Sequence, residues 1–169
     1  MDLSTLSIEI GAAVLGLLLL VLGILLPPGR KGIVGVATIV GLIALLGLSL
    51  VAPGRSGSFF KGLYLNDDFA HFFEQLFLFG ALLVVTMSVR FSRRFGDSRS
   101  EYFVLLVFSL VGMMAMAGAN DFLTLYIGLE LMSLPLIALT AFDKAKERST
   151  EAGVKYVLLS AMSSAILIF

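Results

Sequence analysis

The chain has 169 residues, of which 59% are hydrophobic and 14% are charged, and its formal net charge at pH 7 is zero. No soluble fold of this size can bury that much apolar surface, so the composition predicts a membrane protein. Zero net charge argues against a nucleic-acid partner, and the absence of Cys together with a single His argues against metal, disulfide or iron–sulfur sites within the chain.

Six apolar runs are each about long enough to cross a bilayer, which takes roughly 20 residues. In chain order they cover residues 5–26, 32–52, 67–89, 101–119, 121–142 and 151–169. Backbone groups within the hydrocarbon must be satisfied locally, so the runs predict helices. We therefore expect an all-α, polytopic transmembrane bundle of about six helices. The chain stops inside the sixth run without a polar flank, which favours a fragment truncated within the sixth helix.

The first run is predicted to be a retained helix rather than a signal peptide. It carries Asp2 and Glu9 where a signal peptide has basic residues, and it ends in LLPPGRKG without a small-residue cleavage site.

Lys and Arg residues predict the orientation of the bundle. The first, third and fifth loops carry nine of them, whereas the intervening side carries only Arg55 and Lys61. The nine are Arg30, Lys31, Arg90, Arg93, Arg94, Arg99, Lys144, Lys146 and Arg148. The positive-inside rule then places the N-terminus outside and these three loops in the cytoplasm.

Shorter patterns predict local structure. Asn120 or Asp121 is expected to cap the fifth helix, and Ser149 the sixth, with Glu151 in its first turn. Small residues in the second and fourth runs, including Gly47 and Gly112, predict close helix packing. The aromatic residues ahead of the third run fit an interfacial belt; they are Phe59, Phe60 and Tyr64.

Glu130 is the main candidate functional residue. It lies ten residues into a helix that begins near Asn120, roughly 15 Å deep and close to the midplane of a ~30 Å hydrocarbon core. Placing a charge at this depth costs about 2.5–3.5 kcal/mol on insertion scales. The presence of Glu130 there therefore predicts a group that takes up and releases a proton. The alternative is a protonated packing residue. Pro135 removes a backbone hydrogen bond to the carbonyl of Leu131 and predicts a kink beside the carboxylate.

Lys155 is the candidate partner of Glu130. It follows Glu151 by four residues, so its ammonium either reaches the cytoplasmic interface or acts within the membrane, and the spacing supports both interpretations equally. An axial offset of roughly 12 Å argues against a direct salt bridge with Glu130 and favours a relay or through-space coupling.

His71 and Glu74 share one helix face near the outer end of the third run, after Asp67 and Asp68. One His among scattered carboxylates is a weak metal signature. Interfacial capping and solvation is therefore the favoured interpretation, and a proton-exit role is the alternative.

Residues 120–169, NDFLTLYIGLELMSLPLIALTAFDKAKERSTEAGVKYVLLSAMSSAILIF, closely resemble the antiporter-like membrane subunits of proton-pumping NADH:quinone oxidoreductase, respiratory complex I. GLELMSLPL followed by EAGVKYVLLSAMSSAI is most similar to subunit N. The likeness is strong over 101–169 and general over the first two helices. Three helices ahead of the pair that includes the Glu-bearing helix fit the bacterial form, which implies a multi-pass protein of the bacterial cytoplasmic membrane. Residues 1–100 are then an N-terminal three-helix region with a cytoplasmic basic loop, and 101–169 begin the proton-translocating repeat, which is incomplete.

The resemblance implies that Glu130 and Lys155 transfer protons, while further lysines of the family lie beyond residue 169. It implies no cofactor in this chain, with FMN and iron–sulfur clusters in other subunits of a NADH:quinone oxidoreductase. The implied partners are other membrane subunits, notably further antiporter-like ones, and the lipid bilayer, with protons as the transported species. Two alternatives stay open: a subunit of an Mrp-type cation/proton antiporter, and a structural assembly subunit in which Glu130 is inert.

Overall fold

The structure, a computed structural model, describes residues 6–27, 29–51 and 57–169, apart from the Phe60 side chain; Asp2 and Arg55 lie outside these ranges. The described residues form six α-helices, with a 3₁₀ segment between the third and fourth. These are α1 (Ser7–Leu25), α2 (Gly32–Val51), α3 (Asp68–Phe91), α4 (Arg99–Ala117), α5 (Phe122–Thr140) and α6 (Glu147–Ile168). Each predicted run overlaps one helix, and α3, α4 and α6 extend beyond the predicted bounds by two, two and four residues. Five helical stretches are long and apolar enough to cross a membrane, because Asp68–Ala117 counts as one stretch. The polytopic helical bundle is confirmed.

α3 and α4 are antiparallel neighbours rather than one long helix. The chain reverses at Gly96, whose φ of 51° lies in the left-handed region that favours glycine. The Tyr102 hydroxyl donates to Ser88 Oγ at 3.2 Å, and Arg99 donates to the Val89 carbonyl at 3.0 Å. These bonds join the two helices on either side of the turn. Arg99 is one of the residues that predict the orientation of the bundle. Its hydrogen bond to Val89 also closes this turn.

α4 lies at the centre of the bundle and packs against α1, α2, α3 and α5. The fully buried side chains come from all of the first four helices. They include Leu19, Leu42, Leu78, Phe103, Leu110 and Met114. Large apolar side chains also cover the outside of the bundle, where lipid rather than water is their solvent.

Glycines bring α4 and α5 into backbone contact. A Cβ on Gly112 would lie 2.6 Å from Met132 Cα, and a Cβ on Gly128 would lie 2.9 Å from Met116 N. Close packing was predicted for the fourth run, which contains Gly112, and is confirmed. In α2 the prediction is wrong at Gly47, where a Cβ would meet nothing within 4 Å.

A short β-hairpin precedes α3, in the segment between the second and third predicted runs. Strand β1 (Gly57–Phe59) pairs antiparallel with β2 (Tyr64–Asn66), and Phe59 lies opposite Tyr64. The turn uses positive φ at Lys61 and Gly62, 60° and 91°. Phe59 and Tyr64 are both buried. The prediction of an interfacial aromatic belt is therefore wrong for these two residues.

The hairpin is attached to the connection between α4 and α5. Tyr64 forms an antiparallel bridge with Ala119, and Leu65 N donates to the Gly118 carbonyl at 2.8 Å. The outer ends of α3, α4 and α5 are therefore joined through backbone hydrogen bonds.

The predicted helix caps differ in outcome. Asp121 caps α5 by accepting from Leu123 N at 3.0 Å, which confirms that prediction. Ser149 does not cap α6, because that helix already begins at Glu147. Its hydroxyl instead donates to the carbonyl of Thr140 at 2.8 Å and satisfies the end of α5.

Candidate functional site

Glu130 meets a hydroxyl from the next helix. It is the ninth residue of α5, roughly 12 Å from the start of that helix, and its side chain is half-buried. Its Oε1 accepts a hydrogen bond from Ser164 Oγ of α6 at 2.5 Å. α5 continues through Pro135, which is buried, as far as Thr140. A carboxyl group deep in an apolar helix thus has a polar partner on the adjacent helix.

The buried stripe of α6 explains why Ser164 reaches Glu130. Gly153 and Ser164 are the buried residues of α6 and lie eleven residues apart, about three helical turns. Both therefore lie on the same side of the helix. A Cβ on Gly153 would lie 2.5 Å from Ala141 Cβ, at the end of α5, so this side faces α5. Sequence reasoning missed Ser164; its spacing from Gly153 was the available signal.

Lys155 lies on the other side of α6 and does not contact Glu130. Its Nζ pairs with Glu151 Oε1 at 2.6 Å, and both side chains are more than half exposed. Nine residues separate it from Ser164, which is two and a half turns and places the two side chains on opposite faces. The described chain therefore brings Glu130 together with Ser164 rather than with Lys155.

A second polar cluster lies at the outer ends of α1 and α3. Glu74 is only 1% exposed, so the prediction that it is solvated at the interface is wrong. The capping role belongs to Asp67, which accepts from Ala70 N at 2.8 Å. The Tyr64 hydroxyl of β2 donates to Glu9 Oε1 of α1 at 2.8 Å. Sequence reasoning used Glu9 only as an argument against a signal peptide.

Tyr64 is held in its protonated form. Burial raises the pKa of its phenol well above the ordinary value, and the negative charge of Glu9 and the hydrogen bond to it raise that pKa further. The hydroxyl therefore remains a donor to Glu9 throughout the physiological pH range.

His71 and Gln75 complete the cluster. His71 Nδ1 lies 3.6 Å from Glu74 Oε2, which is too far for a hydrogen bond. On the other side of the ring, Gln75 Nε2 lies 3.0 Å from His71 Nε2 and also donates to the Ser49 carbonyl at 3.3 Å. An amide nitrogen only donates, so His71 Nε2 accepts and the ring proton is on Nδ1, which faces Glu74.

The comparisons with known proteins concern both halves of the chain. Residues 119–169, which include Glu130 and Lys155, match the sequence profile of a family described as "NADH:quinone oxidoreductase/Mrp antiporter, TM". Over 99% of its length, the chain is 44% identical to NADH-quinone oxidoreductase subunit N of Desulfitobacterium hafniense, of which it covers 34%. The chain is similar to subunit N of NADH-quinone oxidoreductases along almost its whole length.

Other similar proteins agree with this similarity. Subunit N of Rhodospirillum rubrum is 40% identical over 95% of the chain. A chain in the structure of respiratory complex I from Thermus thermophilus with bound aureothin is 31% identical, with a TM-score of 0.73 over 94% of this chain. The resemblance to subunit N is thus confirmed. The chain spans about a third of the length of these relatives, 34% in each case.

Proposed function

We propose that the full-length subunit N translocates protons as a membrane subunit of a respiratory NADH:quinone oxidoreductase, with Glu130 as a proton-carrying group. The observation that supports this most is the carboxyl group in the middle of a membrane-spanning helix, hydrogen-bonded to Ser164 of the next helix. Buried ionisable groups in membranes commonly lie on ion pathways. The similar Thermus thermophilus chain belongs to a respiratory complex I, which supports other membrane subunits as partners and the bacterial cytoplasmic membrane as the location.

The contact with Ser164 suits a carboxyl group that gains and loses a proton. A hydroxyl can donate to the ionised carboxylate and can turn to accept from the protonated acid. The second oxygen of the half-buried Glu130 is left for a further group or a water. Loading and unloading a proton at this depth changes the charge in a medium of low dielectric constant, where other charges respond strongly.

Lys155 acts, in this proposal, through space rather than by contact. It lies on the face of α6 opposite Ser164, where it pairs with Glu151. A change of charge at Glu130 shifts the equilibrium between an ammonium paired with Glu151 and an ammonium released from that pair. The released positive charge then acts on groups that pack against the same face of α6.

We expect Glu130→Gln in the complete complex to lower the ratio of protons translocated to electrons transferred. Glutamine keeps the size of the side chain and its hydrogen bond with Ser164 but cannot carry the proton. The ratio is measured in vesicles with a pH-sensitive dye while NADH oxidation is followed by absorbance. Glu147→Gln, which neutralises an exposed carboxylate of α6, is the matched control and should leave the ratio unchanged.

An unchanged ratio and unchanged NADH oxidation in Glu130→Gln would refute the role assigned to Glu130 and support a structural subunit. Repeating the measurement with and without Na⁺ distinguishes the antiporter alternative. Proton translocation that requires Na⁺ would favour cation/proton exchange over redox-driven pumping.

Lys155 is tested by a pair of substitutions. Lys155→Arg retains the charge and the pairing with Glu151, so we expect translocation close to that of the wild type. Lys155→Ala removes the charge and should lower the proton-to-electron ratio. Both ratios are measured in the same vesicles as for Glu130→Gln. If both variants match the wild type, Lys155 serves only as an interfacial anchor.

A further inference from the structure

The buried carboxyl groups of Glu9 and Glu74 lack the hydrogen-bond donors that carboxylates require. Both oxygens of Glu74 and Oε2 of Glu9 are buried without a hydrogen-bond partner among the described residues. An ionised carboxylate only accepts hydrogen bonds, and buried acceptors are nearly always satisfied. Three buried carboxyl oxygens in one small region therefore call for at least one additional donor.

The two carboxyl groups are each other's available partners. The carboxyl group of Glu9 lies next to that of Glu74, and both retain buried oxygens without a donor. A hydrogen bond between them exists only if one of the two carries a proton, since two carboxylates have no hydrogen between them. A single proton between the groups supplies the missing donor and removes the repulsion between two like charges at close range. Aspartic proteases hold a shared proton between two carboxyl groups for the same reason.

The surroundings supply no positive charge that could replace this proton. Within the described ranges, neither Glu9 nor Glu74 forms an ion pair with Lys or Arg. The titratable groups facing them are Tyr64 of β2, which donates to Glu9, and His71 of α3. The outer halves of α2 and α4, LIALLGLSLV and FSLVGMMAMA, contain no titratable residue. One proton thus leaves the pair with a single negative charge, which the Tyr64 hydroxyl stabilises.

His71 connects the pair with the outside. Its side chain is 20% exposed, whereas that of Glu74 is 1% exposed. Gln75 fixes the ring so that the protonated Nδ1 faces Glu74 across 3.6 Å. A proton enters when Nε2, released by Gln75, takes a proton from the outer phase and Nδ1 passes its own hydrogen to Glu74. The reverse sequence returns a proton from the buried carboxyl pair to the outer phase.

We propose that Glu9 and Glu74 form a proton-binding site at the outer ends of α1 and α3, in which the two carboxyl groups share one proton and exchange it with the outer aqueous phase through His71. The site uses neither α5 nor α6, so it does not depend on the role proposed for Glu130. Its ligand is a proton rather than a metal ion, because two carboxyl groups and a phenol that already donates leave too few oxygen ligands for a divalent cation.

The test is infrared spectroscopy on the purified complex, as the difference between spectra at low and high pH. In the wild type we expect the band of a protonated carboxyl group, shifted by deuterium exchange, to disappear on raising the pH. Glu74→Gln and Glu9→Gln should each remove this same band, because each removes half of the pair and its amide supplies the donor that the remaining carboxylate needs. Glu101→Gln, at an exposed position in the first turn of α4, is the matched control and should retain it.

Other outcomes of this experiment overturn the proposal. A band that persists in both glutamine variants shows that the proton lies elsewhere. A band lost only in Glu74→Gln shows a proton held by Glu74 alone. A band that disappears at constant pH on adding Na⁺ shows a cation site.

Tyr64→Phe tests the same site if the glutamine variants do not assemble. It removes only the hydroxyl that donates to Glu9, so the band should remain but change in frequency. An unchanged band would show that the titrating group is not the one that Tyr64 contacts. Native electrophoresis of each variant establishes assembly before the spectra are recorded.

Discussion

Substitution of Gly112 by Ala should sharply lower the amount of assembled complex in the membrane. A Cβ at this position would lie 2.6 Å from Met132 Cα and 2.7 Å from the Leu131 carbonyl carbon. These are backbone atoms of α5, which cannot move aside as the end of a flexible side chain can. α4 and α5 therefore have to separate at Leu131 and Met132, which directly follow Glu130 in α5. Overpacking of this kind costs about 1–3 kcal/mol, and more when backbones must shift.

Gly47→Ala is the matched control for this prediction. Gly47 lies in α2, and a Cβ there would meet nothing within 4 Å. The same substitution should leave stability unchanged or raise it by up to about 1 kcal/mol, because Ala has the higher helix propensity. Assembly is measured by native electrophoresis of membranes, and stability by thermal unfolding of the purified complex. Equal stability of the two variants would contradict the close approach of α4 and α5.

The Gly118→Ala substitution should detach the hairpin from the outer ends of the helices. A Cβ on Gly118 would lie 2.5 Å from the Tyr64 hydroxyl oxygen and 2.6 Å from Cε2 of the same ring. The ring is buried and fixed by its hydrogen bond to Glu9, so it moves only by losing that bond. We expect a loss of about 1–3 kcal/mol from overpacking, with a further ~1.5–3 kcal/mol from the broken bond to a charged group.

A double-mutant cycle with Tyr64→Leu isolates this contact. Once the ring is gone, Gly118→Ala should cost little, so the two effects should be strongly non-additive. Hydrogen exchange at the Leu65 amide, which donates to Gly118, should accelerate in Gly118→Ala alone. Additive effects would show that the substitution acts through α4 rather than through Tyr64.

The helices were predictable because lipid imposes a simple requirement on each of them. A run such as 32–52 must be helical whatever it packs against, and the structure places α2 at Gly32–Val51. Ser149 shows the limit of this reasoning. Its residue type favours a cap, but the choice between the start of α6 and the end of α5 depends on how the connecting chain folds.

The hairpin was missed although a signal for it was present. SFFKGLYLN places aromatic and aliphatic residues around Lys61-Gly62, a pattern typical of a hairpin turn with positive φ. Hydropathy predicts only a connection between two helices there, and the aromatic residues were assigned to an interfacial belt rather than to strands. Its strands are three residues long and depend on backbone bonds to Gly118, which is distant in sequence.

The polar sites could not be fully predicted, because they depend on contacts between residues that are far apart in the sequence. Glu130 was predicted from its depth and from the family resemblance, but its contact with Ser164 requires knowing which face of α6 meets α5. Glu74 was predicted to be solvated because Asp67 and Asp68 precede it. The structure buries it where α3 packs against α2 and α4, contacts that no local pattern reveals.

The bridge between Tyr64 and Ala119 also sets an order of events during membrane insertion. The chain between these two residues is the antiparallel pair α3 and α4, so Ala119 reaches the outer side only after α4 has crossed the bilayer. Until then the polar backbone of the hairpin has no partner on α4 and lies at the membrane surface. The bridge can therefore form only once the fourth helix is in place. A ribosome stalled before residue 119 should leave the hairpin open to protease, and one stalled well after it should not.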